Sequence, residues 1–484
     1  MKSCRVHCRV VIVNLAAIAS LLLVGCPTAK TPAPAKSSGA ATSQPLVLLV
    51  VDDPQLGQAI SREWRGRTEE ELTIRDVPLE QVAKANRLPG DAIIFPSGMI
   101  GQLAEGGLIA PLEPGVLEDA DFNYRDIFDQ IRMGEMRWGN RTFAVPLGSP
   151  QLLLAYRADL FEKLGQKPPE DWTEYQQTAV RLADQAALGD VAPPADQPWR
   201  ATIEPLAAGW RGQLLLARAA AYAMHRDQVS PLFRFETMMP LIDQPPYVRA
   251  LEELVAAAKV GGFAEQRLTP TEVFAEMRAG HCAMAITWPT ADISDSATTE
   301  KETRLRFALL PGASQAYRFA TKTWESRSED DASHVPLRCV WGRMAALAAS
   351  SADPRRAQGF VAWLAGREVS QQIGPRSGAT TLFRNSHVAT SARWTGSLAP
   401  DVSRQYADVL AQTLSLPRSF PGLTVPGRLD YLTALDEAVR QAIDGKPAAE
   451  ALSEAAKQWS AITEKLDVES QRRANARCLG QSEL

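Results

Sequence analysis

The stretch WGNRTFAVPLGSPQLLLAYRADLFEKLGQKPPEDWTEYQQTAVRL, residues 138–182, decides how this chain folds. An extended run at 141–146 leads through a Gly-Ser-Pro turn to a second apolar run at 152–156. A short amphipathic helix is predicted around 158–164, and after a Pro-Pro break another helix is predicted to begin near Thr173. This order predicts a chain that leaves one folded unit by an extended crossing and then starts a second unit.

The same residues resemble the family 1 extracellular solute-binding proteins, the binding subunits of ABC importers, which include the maltose-binding proteins. The resemblance lies in an ordered series: Gly, an aromatic, Val-Pro, an apolar strand, Tyr, DLFEKLG at 159–165, Pro-Pro and Trp-Thr-Glu. In that family this segment carries the chain from the first lobe into the second, past the ligand cleft. The resemblance therefore implies a periplasmic-binding-protein-like type II fold, with two α/β lobes and an interlobe ligand cleft.

Before the crossing, the residues themselves predict a parallel sheet. Residues 46–51 form a continuous apolar run, typical of a strand buried on both faces. Further strands are predicted at 72–77 and 92–95, with helices at about 55–65 and 78–86 between them. A βαβαβ order of this kind predicts a doubly wound parallel sheet.

Polar residues follow the first and third of these strands. Asp52 and Asp53 come directly after the first strand, and Ser97 follows the third. Ligands of parallel sheets bind beyond the carboxyl ends of the strands, so we predict all three as ligand contacts. Asp53 also precedes Pro54 and could instead cap the helix that begins there.

Three later segments extend the resemblance over nearly all of residues 46–466. They are DAIIFPSGMIGQLAEGGLIAPLEP at 91–114, FAEMRAGHCAMAITWP at 274–289, and the helix, Gly-Lys-Pro, helix tail at 430–466. A strand at 307–311 resembles the one that returns the chain to the first lobe. The resemblance implies a first lobe at 45–145 and 307–385, a second lobe at 146–306, and a C-terminal helical region at 386–484 packed on the lobes.

Three tryptophans stand beside glycine or proline where the resemblance places cleft loops: Trp210, Trp288 and Trp341. Sugar rings have apolar faces edged with hydroxyls, and receptors stack them on tryptophan or tyrosine. We therefore expect these side chains to be partly exposed and to face one cleft that binds a small polar solute, a sugar above all. Core packing is the alternative for each of them.

Further polar residues are predicted near these rings. Ser149 lies in the turn of the crossing, and Arg376 lies in a loop that resembles the one closing the family's cleft. In the sugar-binding members a Glu-Pro pair followed by aromatic residues lines the cleft, and Glu204 occupies that point here. The aromatic spacing after Glu204 departs from the family pattern.

The N-terminus predicts export rather than a folded element. A basic start precedes an apolar run at 10–24, which is shorter than a membrane span. The run ends in Leu-Val-Gly-Cys, which resembles a bacterial lipobox and implies lipidation of Cys26 after removal of a signal peptide at 1–25. Residues 26–44 then read as a lipidated cysteine and a flexible tether. A plain signal peptide with an incidental cysteine and an uncleaved anchor are the alternatives.

Composition narrows the remaining partners. The chain has 484 residues, 45% of them hydrophobic and 22% charged, which is ordinary for a soluble globular protein of two or more domains. A net charge of −4 gives no reason to expect nucleic acid. We predict a monomer on the periplasmic or extracellular side, with an ABC permease and a lipid anchor as partners. Whether the anchor is in an inner or outer membrane stays open.

The sequence lacks the motifs of an enzyme or a metal protein. There is no G-x-S-x-G, no H-E-x-x-H and no phosphate-binding loop, so we predict no catalytic residue, no cofactor and no metal. Cys282 and Cys339 could form a disulfide or remain buried thiols, with Cys478 as the odd cysteine. The competing functions are an exported carbohydrate-active enzyme, such as a glycoside hydrolase, and a lipoprotein of this fold that does not transport.

Overall fold

A computed structural model describes residues 44–189, 196–262, 267–290, 304–328, 331–396 and 398–481. The predicted signal peptide, Cys26 and nearly all of the predicted tether lie outside these residues.

The strands are β1 Leu46–Val51, β2 Leu72–Val77, β3 Ala92–Pro96, β4 Ile109–Ala110, β5 Arg137–Trp138, β6 Arg141–Thr142, β7 Ala144–Gly148, β8 Leu153–Arg157, β9 Arg200–Ile203, β10 Cys282–Thr287, β11 Leu305–Ala308, β12 Gln315–Arg318, β13 Thr323–Ser326 and β14 Arg343–Ala348. The helices are α1 Pro54–Arg67, α2 Leu79–Ala83, α3 Ile100–Glu105, α4 Pro114–Leu117, α5 Asp129–Gly134, α6 Ala158–Lys163, α7 Trp172–Ala183, α8 Gln185–Leu188, α9 Arg211–Ala223, α10 Pro245–Gly261, α11 Pro270–Ala279, α12 Pro354–Ala365, α13 Arg367–Ile373, α14 Ala392–Thr395, α15 Pro400–Leu414, α16 Arg428–Ile443, α17 Ala448–Lys465 and α18 Val468–Cys478.

The first sheet has six strands in the order β2-β1-β3-β14-β4, with β7 paired to β14. β1 is parallel to β2 and β3, which confirms the predicted βαβαβ unit. β14 is antiparallel to β3, β4 and β7, so the whole sheet is mixed. β7 carries the chain out of this sheet, and β14 carries it back. Because the chain leaves and returns in opposite directions, β14 is antiparallel to β7.

The second sheet has four strands in the order β11-β8-β10-β9. β8 is antiparallel to β10 and β11, whereas β10 is parallel to β9. The prediction that a strand at 307–311 returns the chain to the first lobe is wrong, because β11 pairs with β8. The ring centroid of Phe307 lies 5.2 Å from that of Tyr406. The lobe boundaries themselves stay predictions.

The two crossing strands β7 and β14 meet where glycine is required. A Cβ on Gly342 would lie 2.4 Å from the carbonyl oxygen of Gly148, and one on Gly148 would lie 2.5 Å from Cα of Thr380. Any larger residue at 148 or 342 would therefore push the backbones apart. The segment that leaves the first sheet and the one that returns to it therefore lie in close contact at Gly148 and Gly342.

The C-terminal tail is helical, as its amphipathic pattern predicts. Leu432, Leu435, Ala438 and Val439 of α16 are buried, and α16 packs on both α9 and α17. In α17 the indole of Trp459 donates to the Tyr431 carbonyl at 2.8 Å. Among the helices that the structure describes, none is long and apolar enough to cross a membrane.

The three cysteines of the described region are free thiols. Cys282 lies in β10, in the second sheet, and Cys339 precedes β14, so the structure contains no bond between them. Burial raises the pKa of both thiols, which keeps them protonated and unreactive. The alternative of buried free thiols is therefore the one observed.

His387 makes the stability of the fold depend on pH. It is fully buried, with its Nε2 3.2 Å from Ser370 Oγ. Burial, reinforced by the charges of Arg384 and Arg367, lowers the pKa of His387 to about 2. In the unfolded chain the same imidazole takes up a proton below about pH 6.5. Stability from this group is therefore lost as pH falls from about 6.5 towards about 2, at roughly 1.4 kcal/mol per pH unit.

We expect the His387→Gln variant to lose this part of the acid sensitivity. Between pH 6.5 and 5 the free energy of unfolding of the wild type should fall by about 2 kcal/mol more than that of the variant. Urea unfolding at a series of pH values measures both slopes, and it remains informative if the variant is less stable throughout. Equal slopes would mean that His387 takes up its proton in the folded protein.

Candidate functional site

A cleft of about 780 Å³ opens at the carboxyl ends of β1 and β3. Its walls also include the start of α2, residues 208–213 around the start of α9, and one face of α16. We call it the main cleft. Its charged side chains are Asp52, Glu80, Arg211, Arg428, Asp436 and Glu437. Ligands of parallel sheets bind beyond the carboxyl ends of the strands, so the main cleft lies where a ligand is expected.

The three predicted tryptophans lie in one cluster. The ring centroid of Trp210 lies 5.5 Å from that of Trp288 and 5.2 Å from that of Trp341. Trp341 is half-buried and lines the main cleft. The expected partial exposure is wrong for Trp210 and Trp288, which are 8% and 1% exposed, because they pack together and Trp288 Nε1 donates to the Gly378 carbonyl at 3.2 Å. The cluster therefore presents one ring, Trp341, to the cleft.

Asp53 is held in a buried network behind Trp341. Its Oδ1 accepts from Leu56 N at 3.2 Å, which caps α1, and its Oδ2 accepts from Arg343 Nε at 3.0 Å and Ser377 Oγ at 2.5 Å. The guanidinium carbon of Arg343 lies 5.2 Å from the Trp341 ring centroid, within range of a cation–π contact. Asp53 thus fixes Arg343 beneath the Trp341 ring instead of lining the cleft.

Asp52 lies at the mouth of the cleft in an unusual backbone conformation. Its φ is +47°, in the left-handed region that aspartate tolerates better than most residues. The side chain is exposed, and its Oδ2 accepts from Leu79 N at 3.1 Å. The turn therefore fixes one carboxylate oxygen on the start of α2, and the side chain lines the cleft.

Ser97 and Ser149 are buried outside the cleft lining. Ser97 N donates to the Gly342 carbonyl at 2.7 Å, and its hydroxyl has no hydrogen-bond partner among the described residues. The Ser149 hydroxyl donates to Glu135 at 2.8 Å. Burial raises the pKa of Glu135. Both serines thus lie near the crossing strands rather than on the surface of the cleft.

Glu204 and Arg376 are also absent from the cleft lining. Glu204 is fully buried and accepts from Arg218 Nη2 at 2.6 and 2.7 Å and from the Tyr175 hydroxyl at 3.0 Å. The Arg218 guanidinium carbon lies 3.8 Å from the ring centroid of Trp172. Arg376 is exposed on a short 3-10 turn. The geometry of Glu204 is that of a buried ion pair within the core.

Helix α16 supplies cleft residues that sequence reasoning missed. The Asp436 carboxylate accepts from the backbone N–H of Gly209 and, at 2.6 Å, from that of Gly212, which caps α9. Burial raises the pKa of Asp436. No local pattern could reveal this cap, because Gly209 and Asp436 are 227 residues apart in sequence. The position of Arg428 could have been noticed in the sequence, because a cation in the first turn of a helix opposes the helix dipole.

The chemistry available in the main cleft is that of binding. It combines one face of an indole with carboxylate, guanidinium and amide groups. Such a set can stack the apolar face of a small molecule and hydrogen-bond its polar edge. Within the described ranges, no group of three or more His, Cys, Asp or Glu side chains is arranged to hold a metal ion.

Comparison with known proteins gives one family and one fold. Residues 76–371 match the family model described as bacterial extracellular solute-binding protein. A solute-binding protein of an ABC transporter from Agrobacterium radiobacter K84, solved with ribitol, is 18% identical with a TM-score of 0.65, over 88% of this chain and 99% of that chain. The sugar-binding protein MalE of Xanthomonas citri is 15% identical with a TM-score of 0.63, over 87% and 98%. These likenesses confirm the predicted fold class of two α/β lobes of the periplasmic binding protein type.

A third solved structure has the same fold. The ABC transporter solute-binding protein of Agrobacterium vitis S4, solved with D-mannitol, is 18% identical with a TM-score of 0.59, over 87% of this chain and 98% of that chain.

Proposed function

This chain belongs to the bacterial extracellular solute-binding protein family, and we propose that it captures a small polar solute, a sugar or a polyol, in the main cleft. The observation that carries this proposal is the half-buried Trp341 ring in the cleft wall. Its neighbours Trp210 and Arg343 support the ring from the protein side. Ribitol and mannitol in the solved relatives are molecules of the same chemical kind.

The Trp341 ring and the polar cleft wall suit such a solute together. A carbohydrate presents a face of C–H groups that can stack on the indole, and its hydroxyls need donors and acceptors at the edge of the ring. Asp52 and Glu80 offer acceptors at the mouth, while Arg211 and Gln213 offer donors from the α9 side. Trp288 and Trp210 serve as the packed base of this platform.

Delivery of the solute to a transporter would depend on closure of the cleft around it. The first sheet supplies Asp52 on one wall, while α9 and α16 supply Gln213 and Asp436 on the other. A solute that contacts both walls binds the closed form more tightly and so shifts the population towards it. We propose that an ABC permease recognises this closed form.

Membership of an extracellular family makes this an exported protein. We further propose that Cys26 carries the lipid anchor and that residues 26–44 tether a monomeric binding protein near the membrane. We propose binding without catalysis. A solute incubated with this protein should be recovered unchanged, whereas an exported glycoside hydrolase would cleave it.

A thermal-shift screen over sugars and polyols tests this proposal. A bound solute at about 100 times its Kd should add about 2.7 kcal/mol to the free energy of unfolding and raise the melting temperature by a few degrees. The solute is then recovered and analysed after incubation with the protein. Turnover would contradict the receptor proposal, and so would the absence of binding by every sugar and polyol.

A further inference from the structure

Arg428 is a buried cation in the wall of the main cleft. It is the first residue of α16, directly after Gly427, and is 7% exposed. Its guanidinium lies against Gly98 at the end of β3, where a Cβ would come 2.4 Å from the guanidinium carbon. Glycine at 98 therefore leaves the room in which this charged group sits.

The partners of Arg428 are all neutral. Nη1 donates to the Leu423 carbonyl, and Nη2 donates to Gln213 Oε1 at 3.1 Å and to the Cys339 carbonyl at 3.3 Å. No carboxylate of the described residues forms an ion pair with it, and the nearby Cys339 thiol is buried and protonated. Burial accordingly lowers the pKa of Arg428 to about 10.

This arrangement is unfavourable without a further partner. Buried charges in proteins are normally paired, because an uncompensated charge keeps its desolvation cost. The position at the start of α16 adds to that cost, since a cation there faces the positive end of the helix dipole. The positive end of the helix dipole would by itself attract an anion to the start of α16.

Two donors of Arg428 remain for a ligand. A guanidinium carries five N–H donors. Among the described residues, Nη1 of Arg428 donates once and Nη2 donates to three acceptors, which leaves Nε–H and one N–H of Nη1 without an acceptor. Arg428 also lines the main cleft. We propose that Arg428 binds a carboxylate of the solute, so that the preferred solutes are acidic sugars such as uronates and aldonates. This inference rests on the proposed function of the main cleft.

The carboxylates of the cleft oppose this preference less than their number suggests. Asp436 accepts from the backbone N–H groups of Gly209 and Gly212, and Glu437 is paired with Arg440. Asp52 and Glu80 are exposed, so water and salt screen their repulsion. Arg428 is buried and screened much less. Its attraction for an anion bound next to it is therefore the less screened of the two effects.

Matched pairs of solutes test the inference on the unaltered protein. Each pair joins a neutral sugar or polyol to its acid: glucose with glucuronate, galactose with galacturonate, glucitol with gluconate, and galactitol with galactonate. We expect the acid of at least one pair to bind at least tenfold more tightly than its neutral partner in calorimetry. Neutral members that bind as well or better would overturn the inference and leave the proposed function standing. No binding by either member of any pair would count against both.

Two variants then assign the preference to Arg428. Arg428→Gln should reduce the acid-to-neutral preference by about tenfold or more, the range of a charged hydrogen bond. Arg472→Gln, on α18 and paired with Glu469 outside the cleft lining, should keep the preference. Arg428→Met also removes the charge and serves if the glutamine variant fails to fold. An acid preference that survives in a folded Arg428 variant without the charge would overturn the assignment.

Discussion

Replacing Trp341 by alanine is expected to abolish measurable solute binding while the protein stays folded. Trp341 is half-buried and is the member of the tryptophan cluster that lines the main cleft. Truncating a central aromatic anchor costs about 2–4 kcal/mol of binding free energy, or roughly 30- to 700-fold in Kd. Calorimetric titration with a solute found in the thermal-shift screen measures this loss, and Trp341→Phe should keep part of the affinity because a ring remains.

Trp288→Ala is the matched control within the same cluster. Trp288 is 1% exposed, so its removal empties a core site and should lower the free energy of unfolding by about 3–5 kcal/mol. The two variants thus separate a platform for ligand from a ring that fills the core. A Trp341→Ala protein that binds solute as tightly as the wild type would remove the main support for the stacking platform.

The second large effect is expected for Glu204→Gln, as a loss of stability. The change leaves the buried guanidinium of Arg218 without its carboxylate, and breaking a buried ion pair costs about 3–5 kcal/mol. The Trp172 ring under Arg218 cannot replace a full counter-charge. Urea unfolding of the variant measures the loss directly.

A double variant separates the charge from the packing. Glu204→Gln with Arg218→Met removes both members of the pair, so it should be more stable than Glu204→Gln alone. Solute affinity should be near that of the wild type wherever the variants are folded, because Glu204 does not line the main cleft. A stable Glu204→Gln protein that has lost binding would instead make Glu204 a ligand contact.

Much of the fold could be predicted because its signals are local. The apolar run of β1 appears as predicted at Leu46–Val51, and the Leu72–Val77 strand agrees to the residue. The crossing from β7 to β8 and the helix pair α16 and α17 also follow from short-range periodicity and turn residues. Which sheet receives β11 does not follow, because pairing depends on a partner strand that lies more than 140 residues earlier in the chain.

The candidate site divides in the same way. Glycine and proline beside Trp210, Trp288 and Trp341 indicated that these rings leave regular strands and helices, and in the structure Trp210 packs against both of the others. Composition could not tell which ring faces solvent, since burial is decided by the elements that pack over a residue. Only the tertiary structure separates Trp341 in the cleft wall from Trp288 in the core.

The sequence by itself determined that this chain builds a parallel βαβαβ unit, crosses to a second unit and ends in amphipathic helices, because periodicity and turn chemistry act between near neighbours. The tertiary structure alone decided which charges are compensated. Asp53 pairs with Arg343 across 290 residues, and Glu204 forms an ion pair with Arg218. Arg428 has no carboxylate partner among the described residues. Electrostatic pairing depends on distance in space and on burial, and neither quantity is written in the order of the residues.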